Sequence, residues 1–275
     1  MTEWLIEDGI FPEYQEELLK LTNGRVIRRG MFHTDTLGLD QDDNSIFFYG
    51  SIDTAFALQR NGFGWQTWID NRNFECRKWL SVFHHRCLNY AGYFIPYRLL
   101  EQHVKHMEGQ CGDGTAFIRP DSGTKTFTGH KIHFSEVSRL GEDFTLFDDD
   151  MIFVAPALKT GLEYRFVIQS SLDGEARVVA CSQYMHEGEE CVSNNVPNSA
   201  RLFVQEMLKV AEEKQYIPAP MWTMDVDVTG DIPSVIEVNS FSCAGLYHCN
   251  LEEVVKAVDE SMAEWVVYAK FRTGK

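Results

Sequence analysis

Trp222-Thr223-Met224-Asp225-Val226-Asp227-Val228, a turn around Gly230, and Ser234-Val235-Ile236-Glu237-Val238-Asn239 decide how this chain is read. Apolar and polar residues alternate in each run, the period of two that sends successive side chains to opposite faces of a strand. Asp225 and Asp227 therefore share one face of the first strand, and Glu237 and Asn239 share one face of the second. An antiparallel hairpin lays these faces side by side, so Asp225, Glu237 and Asn239 are expected to converge. Two carboxylates and an amide oxygen suit Mg²⁺, which takes oxygen donors and keeps waters and phosphate oxygens beside them. Alternating acids equally describe the solvated face of a sheet, so the rest of the chain must decide between the two.

Upstream, Glu163-Tyr164-Arg165-Phe166-Val167-Ile168 reads as a strand with Glu163 and Arg165 on its polar face. It runs on to Ser170 and is joined through Leu172-Asp173-Gly174-Glu175 to a second strand over 176–185, because Asp-Gly between apolar runs signals a hairpin. Met151-Ile152-Phe153-Val154-Ala155-Pro156 is an apolar strand that runs into an irregular segment, where exposed backbone can meet an adenine edge. Arg119 ends a strand over 115–120, just before the glycine-bounded loop Asp121-Ser122-Gly123-Thr124-Lys125-Thr126-Phe127-Thr128-Gly129. Such a loop can turn N–H groups toward anionic oxygens, with Arg119 and Lys125 adding charge-assisted bonds to phosphate. It is not a Walker loop, because five residues separate Gly123 from Gly129 and His130-Lys131 follows. Surface cations on an exposed hairpin are the plain alternative for Arg119 and Lys125, as an ion-paired sheet surface is for Glu163 and Arg165.

The opening third is expected to be a small α/β unit with parallel pairing: strands over 24–28, 45–50 and 64–69, and a helix over 53–61 capped by Ser51 or Asp53. Helices are expected over 94–107, with a turn at 109–114, over 200–213, where the apolar stripe is clear, and over 251–271 as one or two helices. The sum is α+β, in three units spanning 1–90, 91–155 and 156–275.

The chain has 275 residues with 41 acidic and 25 basic side chains, a formal charge of −16. That balance argues against gripping nucleic acid or anionic membrane through a broad basic face, while leaving room for a small cationic pocket. The sequence carries neither a run long enough to span a bilayer nor the basic flank and apolar stretch of a secretory signal. Its seven cysteines include no Cys-x-x-Cys pair and read as reduced thiols of a cytoplasmic protein. Cys243, His248 and Cys249 fit no common zinc spacing, His103 and His106 lack a third ligand nearby, and Cys181 has no evident base.

Taken in order, these pieces resemble the ATP-grasp superfamily: Arg119-Pro120, the loop with Lys125, the apolar hinge from Val154, Glu163-x-Arg165, and Asp225 followed twelve residues later by Glu237-x-Asn239. Arg119, Lys125 and Arg165 look most like the branch marked by two arginines and a lysine, often found in phage genomes, which would put the protein in the host cytoplasm. The resemblance implies two α+β lobes behind an N-terminal α/β domain. ATP would lie between the lobes, with Arg119 and Lys125 on its α- and β-phosphates, Val154, Ala155 and Pro156 at the adenine and Glu163 at the ribose. Arg165 would face the γ-phosphate, and Asp225, Glu237 and Asn239 would carry Mg²⁺. The implied reaction joins a carboxylate to an amine through an acyl-phosphate, with amino acids or peptides as substrates. A kinase passing the γ-phosphate to a stable acceptor, or a non-catalytic nucleotide-binding module, would use the same cleft. Many relatives carry lysine at the first cation, and a basic residue where this chain has Ser182-Gln183-Tyr184.

Overall fold

The computed structural model describes residues 2–28, 45–63, 66–69, 72–107, 114–230 and 232–273. Three sheets organise them. The first is parallel, with β1 (Glu3–Glu7) between β2 (Asn23–Ile27) and β3 (Ile46–Tyr49). Helix α1 (Gln15–Leu21) links β1 to β2, and α2 (Ile52–Arg60) follows β3. Ser51 caps α2 by accepting from the Thr54 N–H, one of the two caps expected.

The strand expected over 64–69 is absent from Gln66 to Ile69, which is irregular and buried, while Gly64 and Trp65 lie outside the described residues. The parallel partner is β1 instead. Its Trp4, Leu5 and Ile6 are all buried, so a strand packed on both faces shows no alternation to read.

After α3 (Cys76–Phe83) comes a four-stranded antiparallel sheet in the order β4-β7-β5-β6, built from β4 (Tyr93–Pro96), β5 (Thr115–Pro120), β6 (His130–His133) and β7 (Met151–Pro156). Helix α4 (Tyr97–Met107) packs on it. The helix expected from Phe94 thus starts at Tyr97, because Pro96 disfavours helical backbone at the residue before it and the preceding residues pair with β7. The turn expected at 109–114 lies outside the described residues up to Asp113.

The third sheet is antiparallel, in the order β10-β9-β8-β11-β12: β8 (Leu162–Ser170), β9 (Ala176–His186), β10 (Glu189–Ser193), β11 (Met221–Thr229) and β12 (Ile232–Ser240). Helices α5 (Asn198–Glu213) and α6 (Leu251–Thr273) complete it, the latter a single helix.

The largest apolar cluster joins the parallel sheet to the five-stranded one: Trp4, Phe47 and Tyr49 pack with Trp68 and Phe241. A buried polar chain runs through the same seam. The Tyr49 hydroxyl donates to Ala244 O at 2.6 Å, the two hydroxyls of Tyr14 and Tyr49 lie 3.0 Å apart, and Leu246 N–H donates to the Tyr14 oxygen at 2.8 Å. Buried hydroxyls need such partners, and here they tie the first sheet to the segment that leaves β12. Among the described residues no helix is long and apolar enough to cross a membrane.

Candidate active site

The register of the five-stranded sheet sets the site. Asp225 on β11 stands opposite Arg165 on β8 and opposite Glu237 on β12, so the three form one row across neighbouring strands. Asn239 lies two residues along β12, on the same face. Between Asp225–Glu237 and Val226–Val235 the register slips by one, leaving Ile236 as an extra residue in β12. Such a bulge bends its strand and re-aims the side chains beside it, here Glu237.

Arg165 grips Asp225 as a fork: Nε to Oδ1 at 2.8 Å and Nη2 to Oδ2 at 2.6 Å. Its third nitrogen donates to Gly245 O at 3.1 Å, and its guanidinium carbon lies 5.3 Å from the ring centroids of both Tyr184 and Tyr247. Asp225 has no exposed surface and Arg165 almost none. Burial pushes the Asp225 carboxyl up to about 6 against the pull of Arg165, whose guanidinium stays charged.

The four-stranded sheet supplies the opposing cations. Arg119, at the end of β5, reaches Glu237 Oε2 at 3.3 Å, and its guanidinium lies 5.1 Å from the Trp79 ring of α3. Lys125 reaches the same carboxylate at 3.3 and 3.4 Å. The backbone of Lys125 is in the left-handed region, φ 48°, and its N–H donates to Ser122 O, so the loop turns there and delivers the side chain inward. Burial would raise the Glu237 carboxyl, but Lys125 and Arg119 outweigh it and hold the group well below the usual carboxylate range.

Asp121 anchors that loop. Its backbone oxygen accepts from Cys76 N–H at 2.8 Å, its Oδ1 accepts from Arg77 N–H at 2.8 Å, and its carboxylate pairs with the Arg77 guanidinium. A carboxylate at the first turn of α3 satisfies N–H groups that the helix cannot.

A cleft of about 460 Å³, including its open mouth, lies here, with Arg119, Lys125, Arg165 and Asn239 among its walls beside Ile52 and Phe74. The structure thus brings together six of the residues singled out in the sequence: Arg119, Lys125, Arg165, Asp225, Glu237 and Asn239. Glu163 stands two residues before Arg165 on β8, where its Oε2 accepts from the Tyr184 hydroxyl at 2.6 Å. Val154 lies deeper than its assigned role requires, buried and paired on both sides, with Tyr93 and with Ile118. Ala155 and Pro156 pair only with β5, so the freer edge of β7 begins one residue later. Asp227 shares the face of Asp225 but turns to structure: its Oδ1 accepts from Gly161 N–H and the Thr229 hydroxyl, both at 2.8 Å. A Cβ at Gly161 would sit 2.8 Å from the Thr229 hydroxyl oxygen, which explains the glycine.

Trp79, Asp121, Tyr184 and Tyr247 were not singled out as site residues. Tyr184 alone carried a usable signal, because it lies in the Ser182-Gln183-Tyr184 stretch where the family resemblance leads one to expect a basic residue.

Among the described residues no three His, Cys, Asp or Glu side chains cluster as a metal cage. Mg²⁺ does not need one, since waters and phosphate oxygens complete its octahedron. The donor set fits it at one point in particular. Asn239 aims its amide nitrogen at Glu237 Oε1, 2.8 Å away, and its buried Oδ1 has no partner among the described residues. An orphaned buried acceptor beside a carboxylate is costly unless something binds it. The buried Arg119 Nε is likewise without a partner among them.

The family model that matches, over residues 67–258, is family 3 of the ATP-grasp clade marked by two arginines and a lysine, and the chain belongs to that family. Solved structures with the same fold include a D-cycloserine synthetase, DcsG, at 12% identity and TM-score 0.59, over 95% of this chain and 100% of that one. A D-alanyl-alanine synthetase A from Vibrio cholerae O1 biovar eltor matches at 12% identity and TM-score 0.56, over 95% and 98%. A D-alanine–D-alanine ligase from Bacillus anthracis, complexed with ATP, matches at 13% identity and TM-score 0.55, over 99% and 98%. At these identities the likeness is one of fold. No match is found among curated proteins.

Proposed function

We propose that this protein is an ATP-dependent carboxylate–amine ligase acting on amino acids or small peptides through an acyl-phosphate. The observation that carries the reading is the meeting of Arg119 and Lys125 with Glu237 across the cleft, each 3.3 Å away, in a chain of the ATP-grasp family. Phosphoryl transfer asks a protein for positioning and charge neutralisation, and this cleft concentrates both.

In this reading residues 1–90 form an N-terminal α/β domain, 91–155 the small lobe and 156–275 the large lobe. Arg119 and Lys125 hold phosphate oxygens, Ala155 and Pro156 offer backbone to the adenine, and Glu163, steadied by Tyr184, takes the ribose hydroxyls. Mg²⁺ fits the Glu237 carboxylate and the Asn239 carbonyl, with Asp225, the third donor expected, beside them in the row; when bound it screens the charge of the triphosphate. Arg165 faces the transferred phosphoryl group from the wall of the cleft. A carboxylate oxygen of the substrate attacks the γ-phosphorus and ADP leaves. The amine then attacks the acyl carbon, phosphate departs and the amine proton is lost.

The substrate class is supported by the amino-acid-derived products in the names of the fold neighbours. Free thiols at Cys76, Cys87, Cys181, Cys191, Cys243 and Cys249 support a cytoplasmic setting. The test is product analysis after incubation with ATP, Mg²⁺ and a panel of amino acids. Equal amounts of ADP, phosphate and an amide are expected. A lasting phosphorylated product would make the protein a kinase, and untouched ATP across the panel would leave a binding module.

A further inference from the structure

We propose that Tyr14 and Tyr49 are positioning residues for Arg165: through a ring of hydrogen bonds they hold the strap of chain over 242–247 that sets its guanidinium. The inference rests on the reading of Arg165 as the residue that faces the transferred phosphoryl group. The order of the bonds follows from counting hydrogens. Burial pushes both phenol hydroxyls well above their usual range, so each keeps its one hydrogen. Tyr49 spends its hydrogen on Ala244 O at 2.6 Å, so the 3.0 Å contact between the hydroxyls is a bond from Tyr14 to Tyr49. The Tyr14 oxygen in turn accepts from Leu246 N–H at 2.8 Å. Two side chains of the N-terminal unit thus close a ring on two backbone groups of one strap. A further bond, from Gly50 N–H to Ser242 O at 2.9 Å, docks the start of the strap on the end of β3.

The residue between the two clamped ones meets Arg165: Gly245 O accepts from Nη1 at 3.1 Å. Tyr247 follows in the left-handed region, φ 51°, a conformation costly for an aromatic residue. Its ring stacks on Tyr184 with centroids 5.1 Å apart and lies 5.3 Å from the guanidinium. Backbone held against its preference persists only where the surroundings fix it, and here both ends of the strap are tied. Beyond Tyr247, His248 N–H donates to the Ser182 hydroxyl on β9 at 3.2 Å. A guanidinium has five N–H hydrogens; Asp225 takes two, Gly245 O takes one, and two are left for phosphoryl oxygens. The Asp225 fork holds one edge of the plane and Gly245 O holds Nη1, so a shift of the strap re-aims the hydrogens that are left. Arg119 and Lys125 stand on the other sheet, and their contacts to a nucleotide do not depend on the strap.

The test is calorimetry on the full chain with Mg²⁺, comparing ADP with the β,γ-imido analogue of ATP, which carries the γ-phosphoryl group and needs no turnover. Tyr49→Phe is expected to weaken binding of the analogue about three- to tenfold and of ADP by less than about twofold. Tyr14→Phe opens the ring at its other end and carries the same expectation, should Tyr49→Phe not fold. Arg165→Lys, which lacks Nη1, should lose the same discrimination, and adding Tyr49→Phe to it should weaken the analogue no further. Equal weakening of both nucleotides by the tyrosine variants would make the ring a matter of stability alone and overturn the inference. Unchanged affinity for both, or a further loss in the Tyr49→Phe/Arg165→Lys pair, would overturn it too. Wild-type protein that holds the analogue no more tightly than ADP would instead defeat the placement of Arg165 at the γ-phosphate.

Discussion

Replacing Arg165 with Met keeps the bulk of the side chain and removes its charge, stranding a carboxylate that has no exposed surface. Among the described residues, its one remaining side-chain neighbour at hydrogen-bond range is the Asn239 amide, at 3.5 Å. Breaking a buried pair from one side costs about 3–5 kcal/mol, a large part of the roughly 5–15 kcal/mol that holds a domain folded. The cost should depend on pH in a definite direction. The Asp225 carboxyl stands at about 6 in the folded chain against 3.8 for an ordinary aspartate, and losing Arg165 raises it further. A carboxyl raised by folding lends stability that is fully present below its unfolded value and lost as the pH rises through its folded one. Both proteins lose it from about pH 4 upward, so the extra loss of Arg165→Met relative to wild type falls above pH 6. The variant should unfold at markedly lower urea than wild type at pH 8, and the gap should close on acidification to pH 6 by up to about 1.4 kcal/mol per pH unit. Asp225→Asn leaves a guanidinium that cannot shed its proton, so its stability should show no such recovery. Urea unfolding followed by circular dichroism at pH 6, 7 and 8 reads all three proteins. An Arg165→Met deficit of equal size at pH 6 and pH 8 would refute the reasoning.

Other substitutions probe the remaining walls of the cleft. Lys125→Met removes one charge-assisted contact to phosphate and should weaken ATP binding about 10- to 150-fold, the equivalent of about 1.5–3 kcal/mol, as read by calorimetry. Asp121→Ala takes the cap from α3 and the anchor from the Lys125 loop; it should cost about 1–2 kcal/mol in unfolding experiments and raise the KM for ATP, whereas an unchanged KM would free the loop from this anchor. Tyr184→Phe deletes the hydroxyl that steadies Glu163 and should raise the KM for ATP several-fold with kcat little changed; a fall in kcat alone would contradict the ribose assignment.

Four strands of the five-stranded sheet were legible, the β11–β12 hairpin most clearly because a period of two survives in its residues, whereas the short edge strand β10 was not read. From Asp225, Glu237 and Asn239 the convergence followed once a hairpin was assumed, and the Ile236 bulge left that outcome intact. Strand β1 was not legible, because Trp4, Leu5 and Ile6 are buried on both faces and show no period. Gln66 to Ile69 misled for the converse reason: aromatic and β-branched residues filled a buried loop rather than a strand. Pairing between distant segments is invisible to local pattern, so the Arg165–Asp225 fork, the Asp121 anchor on α3 and the tyrosines around Arg165 emerged only in three dimensions. Asp225 shows the limit most clearly. Its place in the row was readable, but its partner was not.

The ligase reading turns on whether phosphate leaves carrying an oxygen that began in the substrate carboxylate. With an ¹⁸O-labelled amino acid that supports turnover, ATP and Mg²⁺, the account predicts one ¹⁸O in each phosphate released, because the attacking carboxylate oxygen stays on phosphorus when the amine opens the acyl-phosphate. Phosphate free of label, with amide forming at the same rate, would contradict it.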